Sequence, residues 1–248
     1  MSFISSIKTL LTFGRGVVGG LPDGTEDKDP INLFRGWFEA AKKSGILLPE
    51  AMSLATSTPD GRPSVRMVLL KDVDLHGFAF YTNYGSQKAS EIDRNPYAAI
   101  CFHWPILQRQ VRISGKVERD PDAESRAYFV TRSRASQLGA WASKQSENLS
   151  DRAELETRVR TYSEKFSGDN VPLPPFWGGY RLKAEQIEFW QGRVDRLHDR
   201  VLFKRSSDGW ESKRLYPLYD LEQLIGALGT FSSRIAAWYR NVANTTAA

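Results

Sequence analysis

The chain has little of what builds disulfide-stapled, metal-dependent or membrane-spanning proteins. Its one cysteine, Cys101, among 248 residues excludes an intrachain disulfide framework. Its three histidines, His76, His103 and His198, stand far apart, and neither paired cysteines nor a His-Glu-x-x-His spacing accompanies them, so no metal centre is expected. No apolar run approaches the roughly 18 residues of a membrane span. The mildly apolar stretch from Ser2 to Leu11 is interrupted by Lys8 and followed by Arg15, without the pattern of a signal peptide. Repeats and low-complexity tracts are absent too. A soluble cytoplasmic protein, with neither a membrane nor a nucleic-acid partner, is the resulting expectation.

What is present is ordinary globular material, 41% apolar and 25% charged, enough for one sizeable core or two small ones. Cys101 sits in the apolar run Ala98 to Phe102, where a small buried thiol is expected rather than a nucleophile. The formal charge of +5 favours anionic partners. Because the arginines are scattered through strand-like segments and not gathered in a tail, small phosphate esters fit better than a polymer.

Residues 1–28 are Gly-rich towards their end and expected to be loosely held or helical only at the start. Asp29 caps a helix opened by Pro30, whose Phe34, Trp37, Phe38 and Ala41 form a core face, with Gly45 as the stop. The period then becomes that of strands: Ala51 to Ser57, Ser64 to Val73, Phe78 to Thr82, Tyr97 to Trp104 and Gln110 to Glu118. Helices are expected at Gly85 to Asn95, Pro121 to Thr131 and Asp151 to Phe166. Strands return at Tyr180 to Trp190, Val201 to Arg205 and Trp210 to Leu215, the last two joined by Ser207-Asp208-Gly209. Short strands with short turns imply an antiparallel sheet or barrel, mainly β with helices. Beyond it, Leu221 to Leu228 and Ile235 to Val242 carry apolar stripes at helical spacing, so 218–248 reads as a helical C-terminal extension that packs on the barrel or across a dimer interface, together with Phe3, Ile7 and Leu10.

Several segments hold residues suited to an anionic, planar ligand. Phe189 to Arg200 packs two aromatic rings, four guanidinium or imidazole groups and two carboxylates into twelve residues. Alternation along Val65 to Lys71 puts Arg66 and Lys71 on opposite faces of one strand. Gly85-Ser86-Gln87-Lys88 opens a helix, whose free N–H groups and dipole accept an anion. The polar alternation of Gln108 to Ile113 suits a strand face covered by something other than hydrocarbon. Tyr128, Arg132 and Ser136 stand four apart and would line one face if the helix persisted through them, offering hydroxyls and a guanidinium to a phosphate.

In order along the chain, Arg66-Met67-Val68-Leu69-Leu70-Lys71, Tyr81-Thr82-Asn83, Gly85-Ser86-Gln87-Lys88, Arg109-Gln110-Val111, Trp141 to Ser146, Pro175 to Arg181, and Glu188 to Gly192 continuing through Arg196-Leu197-His198-Asp199-Arg200 resemble the pyridoxamine 5'-phosphate oxidases. The resemblance implies an FMN-binding split β-barrel over residues 29–217, homodimeric, with two FMN sites at the interface. Carried over by position, FMN contacts fall to Arg66, Met67, Val68, Leu69, Leu70, Lys71, Tyr81, Thr82, Gln87, Lys88, Gln110, Gln145, Ser146, Trp190 and Arg200. Substrate contacts fall to Lys71, Tyr128, Arg132, Ser136, Arg196 and His198, the last two being catalytic. The implied reaction oxidises pyridoxamine or pyridoxine 5'-phosphate, a small phosphorylated pyridine, to pyridoxal 5'-phosphate, with O2 reoxidising the flavin to give H2O2. A related phenazine-biosynthesis branch, acting on reduced tricycles without phosphate, is the alternative. The chain departs from the pattern at Gln87, where much of the family carries arginine, and lacks an Arg-Arg-x-Tyr element before Asp29. It also continues past the Arg214-Leu215-Tyr216-Pro217 strand that usually ends the family.

Overall fold

A computed structural model describes residues 20–22, 24–168, 170–193 and 197–217. The extension 218–248, the N-terminal face of Phe3, Ile7 and Leu10, and Arg196 lie outside the described residues.

Nine antiparallel strands form the scaffold: β1 (Ala51–Ser57), β2 (Pro63–Leu69), β3 (Asp72–Asp74), β4 (Gly77–Asn83), β5 (Tyr97–Trp104), β6 (Arg109–Arg119), β7 (Trp177–Gln191), β8 (Asp199–Ser206) and β9 (Gly209–Leu215). Their order across the sheet is β2-β1-β5-β6-β7-β4-β3, and β8 and β9 extend from β7. The long strand β7 pairs with β6 over most of its length, with β4 through Trp177–Leu182 and with β8 through Gln186–Gln191. Midway, the β6–β7 register shifts between Ser114 and Gly115. A side chain at Gly115 would meet the Lys183 carbonyl oxygen at 2.0 Å, so this bulge needs glycine.

The sequence suggests one strand from Ser64 to Val73, but the chain changes partners within it. β2 pairs with β1, and the Leu70 N–H still reaches back to the Glu50 carbonyl (2.9 Å). The next residue, Lys71, donates its N–H to Ala79 (2.9 Å), on β4. Two residues thus link the strands at opposite ends of the sheet order. This interruption defeats simple alternation, and both Arg66 and Lys71 reach one cleft instead of opposite faces.

Among the described residues, five α-helices cover the barrel: α1 (Pro30–Lys43), α2 (Gln87–Arg94), α3 (Asp122–Val130), α4 (Arg134–Ala142) and α5 (Arg152–Lys165). Helix α1 starts as its sequence dictates, with the Asp29 carboxylate accepting from the Asn32 N–H at 2.8 Å and Pro30 in the first turn. Its apolar face supplies the core: the Phe34 ring meets Phe78 at 4.9 Å and Phe102 at 5.1 Å, while Trp37 meets Phe189 at 5.1 Å. A smaller core of Phe129, Leu138, Ala140, Val171 and Trp177 seats α3 and α4. Helix α5 buries none of its residues, as its charge pattern suggests.

The helix expected from Pro121 to Thr131 is α3, but it does not persist through Arg132 and Ser136: it stops at Val130, and α4 begins afresh after Ser133, whose hydroxyl caps it by accepting from the Ser136 N–H. One further expectation is corrected. The described part of the N-terminal segment is docked, not loose. Leu21 is buried and donates its N–H to Asp199 at 2.8 Å, Thr25 is fully buried, and Glu26 pairs with Arg214. Cys101 is half-buried, and burial raises its thiol pKa, which keeps it protonated.

Phe34 is completely buried and packs with four other rings, those of Phe38, Phe78, Phe102 and Trp104. Phe34→Ala should therefore cost about 3–5 kcal/mol of stability, read from urea unfolding curves. A loss under about 1 kcal/mol would show that α1 is not integral to this core.

Candidate functional site

A cavity of about 970 Å³ opens where β2, β4, α2, α3 and α4 converge. Its floor is the N-terminus of α2. There Lys88, only 6% exposed, donates from Nζ to Thr82 Oγ1 (3.1 Å), Ser86 Oγ (3.2 Å) and Gln145 Oε1 (3.2 Å). All three acceptors are neutral. Burial first, and the Arg66 charge second, lower the Lys88 pKa from 10.5 to about 8, against the opposing pull of Glu91. The Gln145–Ser146 segment is fixed across this floor. Thr82 Oγ1 also donates to Gln145 Oε1 (3.0 Å), the Gln87 N–H donates to Ser146 Oγ (3.1 Å), and Ser146 adopts φ +77°.

Beside Lys88 the Arg66 guanidinium is held by a relay of hydroxyls. Nη1 donates to Thr56 Oγ1 (2.5 Å) and Nη2 to Ser64 Oγ (2.5 Å). Both hydroxyls donate hydrogen bonds to one oxygen of Glu91, which Arg66 Nη2 also reaches directly at 3.3 Å. The other Glu91 oxygen accepts from Gln87 Nε2 at 2.9 Å. Burial alone would raise the Glu91 pKa. Hydrogen bonds from Ser64, Thr56 and Gln87, with the Arg66 charge, outweigh it and hold the carboxyl at about 2.

The opposite wall is aromatic. Tyr81 stacks on Tyr128 at 4.1 Å and on Trp177 at 5.5 Å, with interplanar angles of 19° and 11°. Burial, then Asp120 and Glu124, push the Tyr81 phenol up to about 12, so it stays a neutral donor. Lys71 Nζ lies 5.9 Å from the Tyr128 ring and the Arg132 guanidinium 4.6 Å from the Trp177 ring. Arg132 Nη1 is buried without a hydrogen-bond partner among the described residues, and burial lowers its pKa. Ser136 lines the same wall, its hydroxyl 2.9 Å from that of Ser133. Although the helix breaks between them, Tyr128, Arg132 and Ser136 still meet at one cavity.

Of the sequence candidates, the cavity gathers Arg66, Met67, Val68, Leu69, Lys71, Tyr81, Thr82, Gln87, Lys88, Tyr128, Arg132, Ser136, Gln145 and Ser146. Leu70 instead turns into the core. Gln110, Trp190 and Arg200 form a separate row: the register sets Gln110 opposite Trp190 and Trp190 opposite Arg200. His198 joins this row, its ring 4.7 Å from Trp190. Its Nδ1 accepts from the Arg193 N–H (3.1 Å), while its buried Nε2 has no hydrogen-bond partner among the described residues. Arg200 is engaged by Glu188 (2.8 Å) and the Tyr216 carbonyl (2.8 Å). None of these four lines the large cavity.

Sequence reasoning missed Glu91, Thr56 and Ser64, which anchor Arg66, and Trp177, which completes the aromatic wall. Glu91 stands four residues after Gln87 on α2, a spacing that places the two side chains together. Nothing local marks Thr56, which reaches the network through strand pairing.

The half-barrel with a cation-lined cleft is the split-barrel architecture of flavin-binding proteins. The family model described as "Pyridoxamine 5'-phosphate oxidase" matches residues 38–166, and that described as "Pyridoxine 5'-phosphate oxidase C-terminal dimerisation region" matches 177–217. A pyridoxine/pyridoxamine 5'-phosphate oxidase of Psychromonas ingrahamii is 55% identical over 217 residues, covering 88% of this chain and 100% of its own. One from Rubrobacter xylanophilus is 56% identical over 198 residues, covering 80% and 91%. Among solved structures, PhzG from Burkholderia lata in complex with tetrahydrophenazine-1-carboxylic acid matches with a TM-score of 0.75 at 31% identity, over 81% of this chain and 99% of that one. The chain belongs to the pyridoxamine 5'-phosphate oxidase family, and it is an oxidoreductase.

The depressed Lys88 pKa has a definite sign in stability. Between pH 8 and 10.5 the unfolded chain holds more protons at this site than the folded one, so stability rises with pH there. In ligand-free protein, Lys88→Met should raise the melting temperature most below pH 8, the advantage closing by roughly pH 10.5. A pH-independent difference would show that Lys88 does not titrate in this range.

Proposed function

We propose that the protein is an FMN-dependent oxidase converting pyridoxamine 5'-phosphate and pyridoxine 5'-phosphate to pyridoxal 5'-phosphate, with O2 reduced to H2O2. The observation that carries this reading is a pair of separate cationic positions in one cavity. Lys88 is buried against neutral acceptors only, and Arg132 has a buried N–H group without a hydrogen-bond partner among the described residues. Two phosphates, one on the cofactor and one on the substrate, satisfy both.

On this reading Arg66, Lys88 and the first turn of α2 hold the FMN phosphate, with Gln87, Thr82, Gln145 and Ser146 as neutral partners. Met67, Val68 and Leu69 line the cavity as its apolar side, and Tyr81 adds a phenol. Lys71, Tyr128, Arg132 and Ser136 hold the substrate phosphate. When bound, FMN accepts the two electrons removed from the substrate carbon and delivers them to O2. The protein contributes position and electrostatics. The open Nε2 of His198, joined by Arg196, suits the substrate side of the ring, where it would orient the pyridine and handle a proton.

His198, Gln110, Trp190 and Arg200 lie apart from the cavity in one chain, which supports a homodimer in which each cavity is completed by the row of the partner subunit. The match of residues 177–217 to a dimerisation region supports the same arrangement. Among the described residues no helix is long and apolar enough to cross a membrane, in keeping with a cytoplasmic enzyme.

A phenazine-type oxidase is the second reading, favoured by the likeness to PhzG. Without a substrate phosphate, the exposed Lys71 would lack its anion and the buried Nη1 of Arg132 would be left unpaired, and the second of these is the costly one. Purified protein supplied with FMN should generate H2O2 and pyridoxal 5'-phosphate from either B6 phosphate. Turnover of a dihydrophenazine acid in preference to both would overturn the assignment. Arg132→Ala should raise KM for the phosphorylated substrate by roughly ten-fold or more with a smaller change in kcat, since a remote phosphate contact acts similarly on ground and transition states. Unchanged steady-state kinetics would remove Arg132 from the substrate site.

The divided site can be tested by complementation. Lys88→Ala impairs the cavity and His198→Ala the row, so each variant alone should be weakly active. Co-expressed, they should regain about a quarter of wild-type activity, because half the random dimers carry one intact site. Absence of any gain in demonstrably mixed dimers would mean that both groups serve the same chain's site.

A further inference from the structure

We propose that Glu91 is a positioning residue of the cofactor site: it fixes the Arg66 guanidinium, through the Thr56 and Ser64 hydroxyls, in the orientation that receives the flavin phosphate. This inference rests on the FMN reading above. Glu91 is 5% exposed and does not line the cavity, whereas Ser64, Arg66 and Gln87, three of its four partners, do. Burying an ionised carboxylate is costly, and a merely structural role at this point of α2 could be filled by an apolar side chain. Here each oxygen instead meets cavity-lining groups, Oε1 Gln87 and Oε2 Ser64 and Arg66, with Thr56 behind them also donating to Oε2.

The hydroxyls make the arrangement directional. Each has a single proton, and each both accepts from Arg66 and donates to Glu91. The carboxylate therefore sets the polarity of both relays, and a neutral or absent group there would release them. Without it, the two hydroxyls are free to turn their protons towards the guanidinium, and the Arg66 fork loses its fixed plane. The net charge matters as well. Arg66 and Lys88 are the cations at this end of the cavity and Glu91 is the carboxylate whose charge acts on both, so removing Glu91 adds positive charge while loosening its placement. The two consequences act oppositely on an incoming phosphate, which makes the sign of the result informative.

The experiment is equilibrium binding of FMN and of riboflavin, which lacks the phosphate, to full-length protein stripped of flavin. Flavin fluorescence quenching would be followed in wild type, Glu91→Gln, Glu91→Ala, Arg66→Ala and the Arg66→Ala/Glu91→Ala double variant. Glu91→Ala should weaken FMN roughly ten- to a hundred-fold, the scale of a lost charge-assisted hydrogen bond, and leave riboflavin nearly unchanged. The double variant should bind FMN no more weakly than Arg66→Ala alone, since Glu91 acts through Arg66. Glu91→Gln keeps the volume and one acceptor oxygen, so it covers the case in which the alanine variant fails to fold, and it should show a smaller loss of the same FMN-selective kind. Equal losses for both flavins, additive losses in the double variant, or tighter FMN binding by a folded Glu91 variant would each overturn the proposal. Wild-type protein that binds neither flavin would overturn the cofactor reading itself, and this inference with it.

Discussion

The fold depends on a covalent seam. In the strand order the first and last members, β2 and β3, are consecutive in the chain and separated by Leu70 and Lys71 alone. The Leu70 N–H belongs to the β1 side and the Lys71 N–H to the β4 side, so these two residues draw the two edges of the sheet together. No ladder pairs β2 with β3 among the described residues, so the covalent link alone joins these edges. That link also decides where chemistry can occur. The cavity lies along the seam, with β2 giving Arg66 to one side of it and Lys71 standing on the link itself.

Charge is distributed unevenly around this seam. Elsewhere in the fold carboxylates and cations are matched: Arg181 alone meets Asp72, Asp74, Asp120 and Glu124, and Glu188 pairs with both Arg112 and Arg200. Among the cavity's cations only Arg66 has a carboxylate partner in the described ion pairs. A protein with many available acids has thus been built with Lys88 and Arg132 kept from them, which destabilises the empty cavity and favours anionic occupants. The aromatic wall of Tyr81, Tyr128 and Trp177 adds flat apolar surface beside those cations, suited to a planar heterocycle bearing a phosphate.

Much of this was legible in the amino-acid order because it follows local rules. The cap at Asp29, the apolar face of Phe34 and Trp37, and the turn at Ser207-Asp208 depend on neighbours in the chain. Ordered motifs marked the cavity residues from Arg66 to Ser146 before any coordinates did. What escaped was non-local. The break after Leu69 arises from a change of partner strand, which alternation does not record, and Ser133 competes as a cap only once α3 has ended. Glu91 shares a helix face with Gln87, but only the pairing of β1 with β2 brings Thr56 and Ser64 together beside it.

The bulge in the middle of β7 sets the phase in which that strand is read. Before it the core takes even-numbered side chains, Tyr180, Leu182 and Ala184; after it the core takes odd-numbered ones, Ile187 and Phe189. On β6 no such change occurs, and Val111, Ile113 and Val117 all face inward. Glu185, which the register skips, is thus a one-residue frame shift within a folded strand. Were the strand to run straight through Glu185 without the bulge, the two faces of everything downstream would exchange, sending Trp190 into the barrel and Phe189 outward. The placement of the Gln110, Trp190 and Arg200 row is in this sense a matter of counting: a parity error of one residue would erase it with every one of its side chains still present.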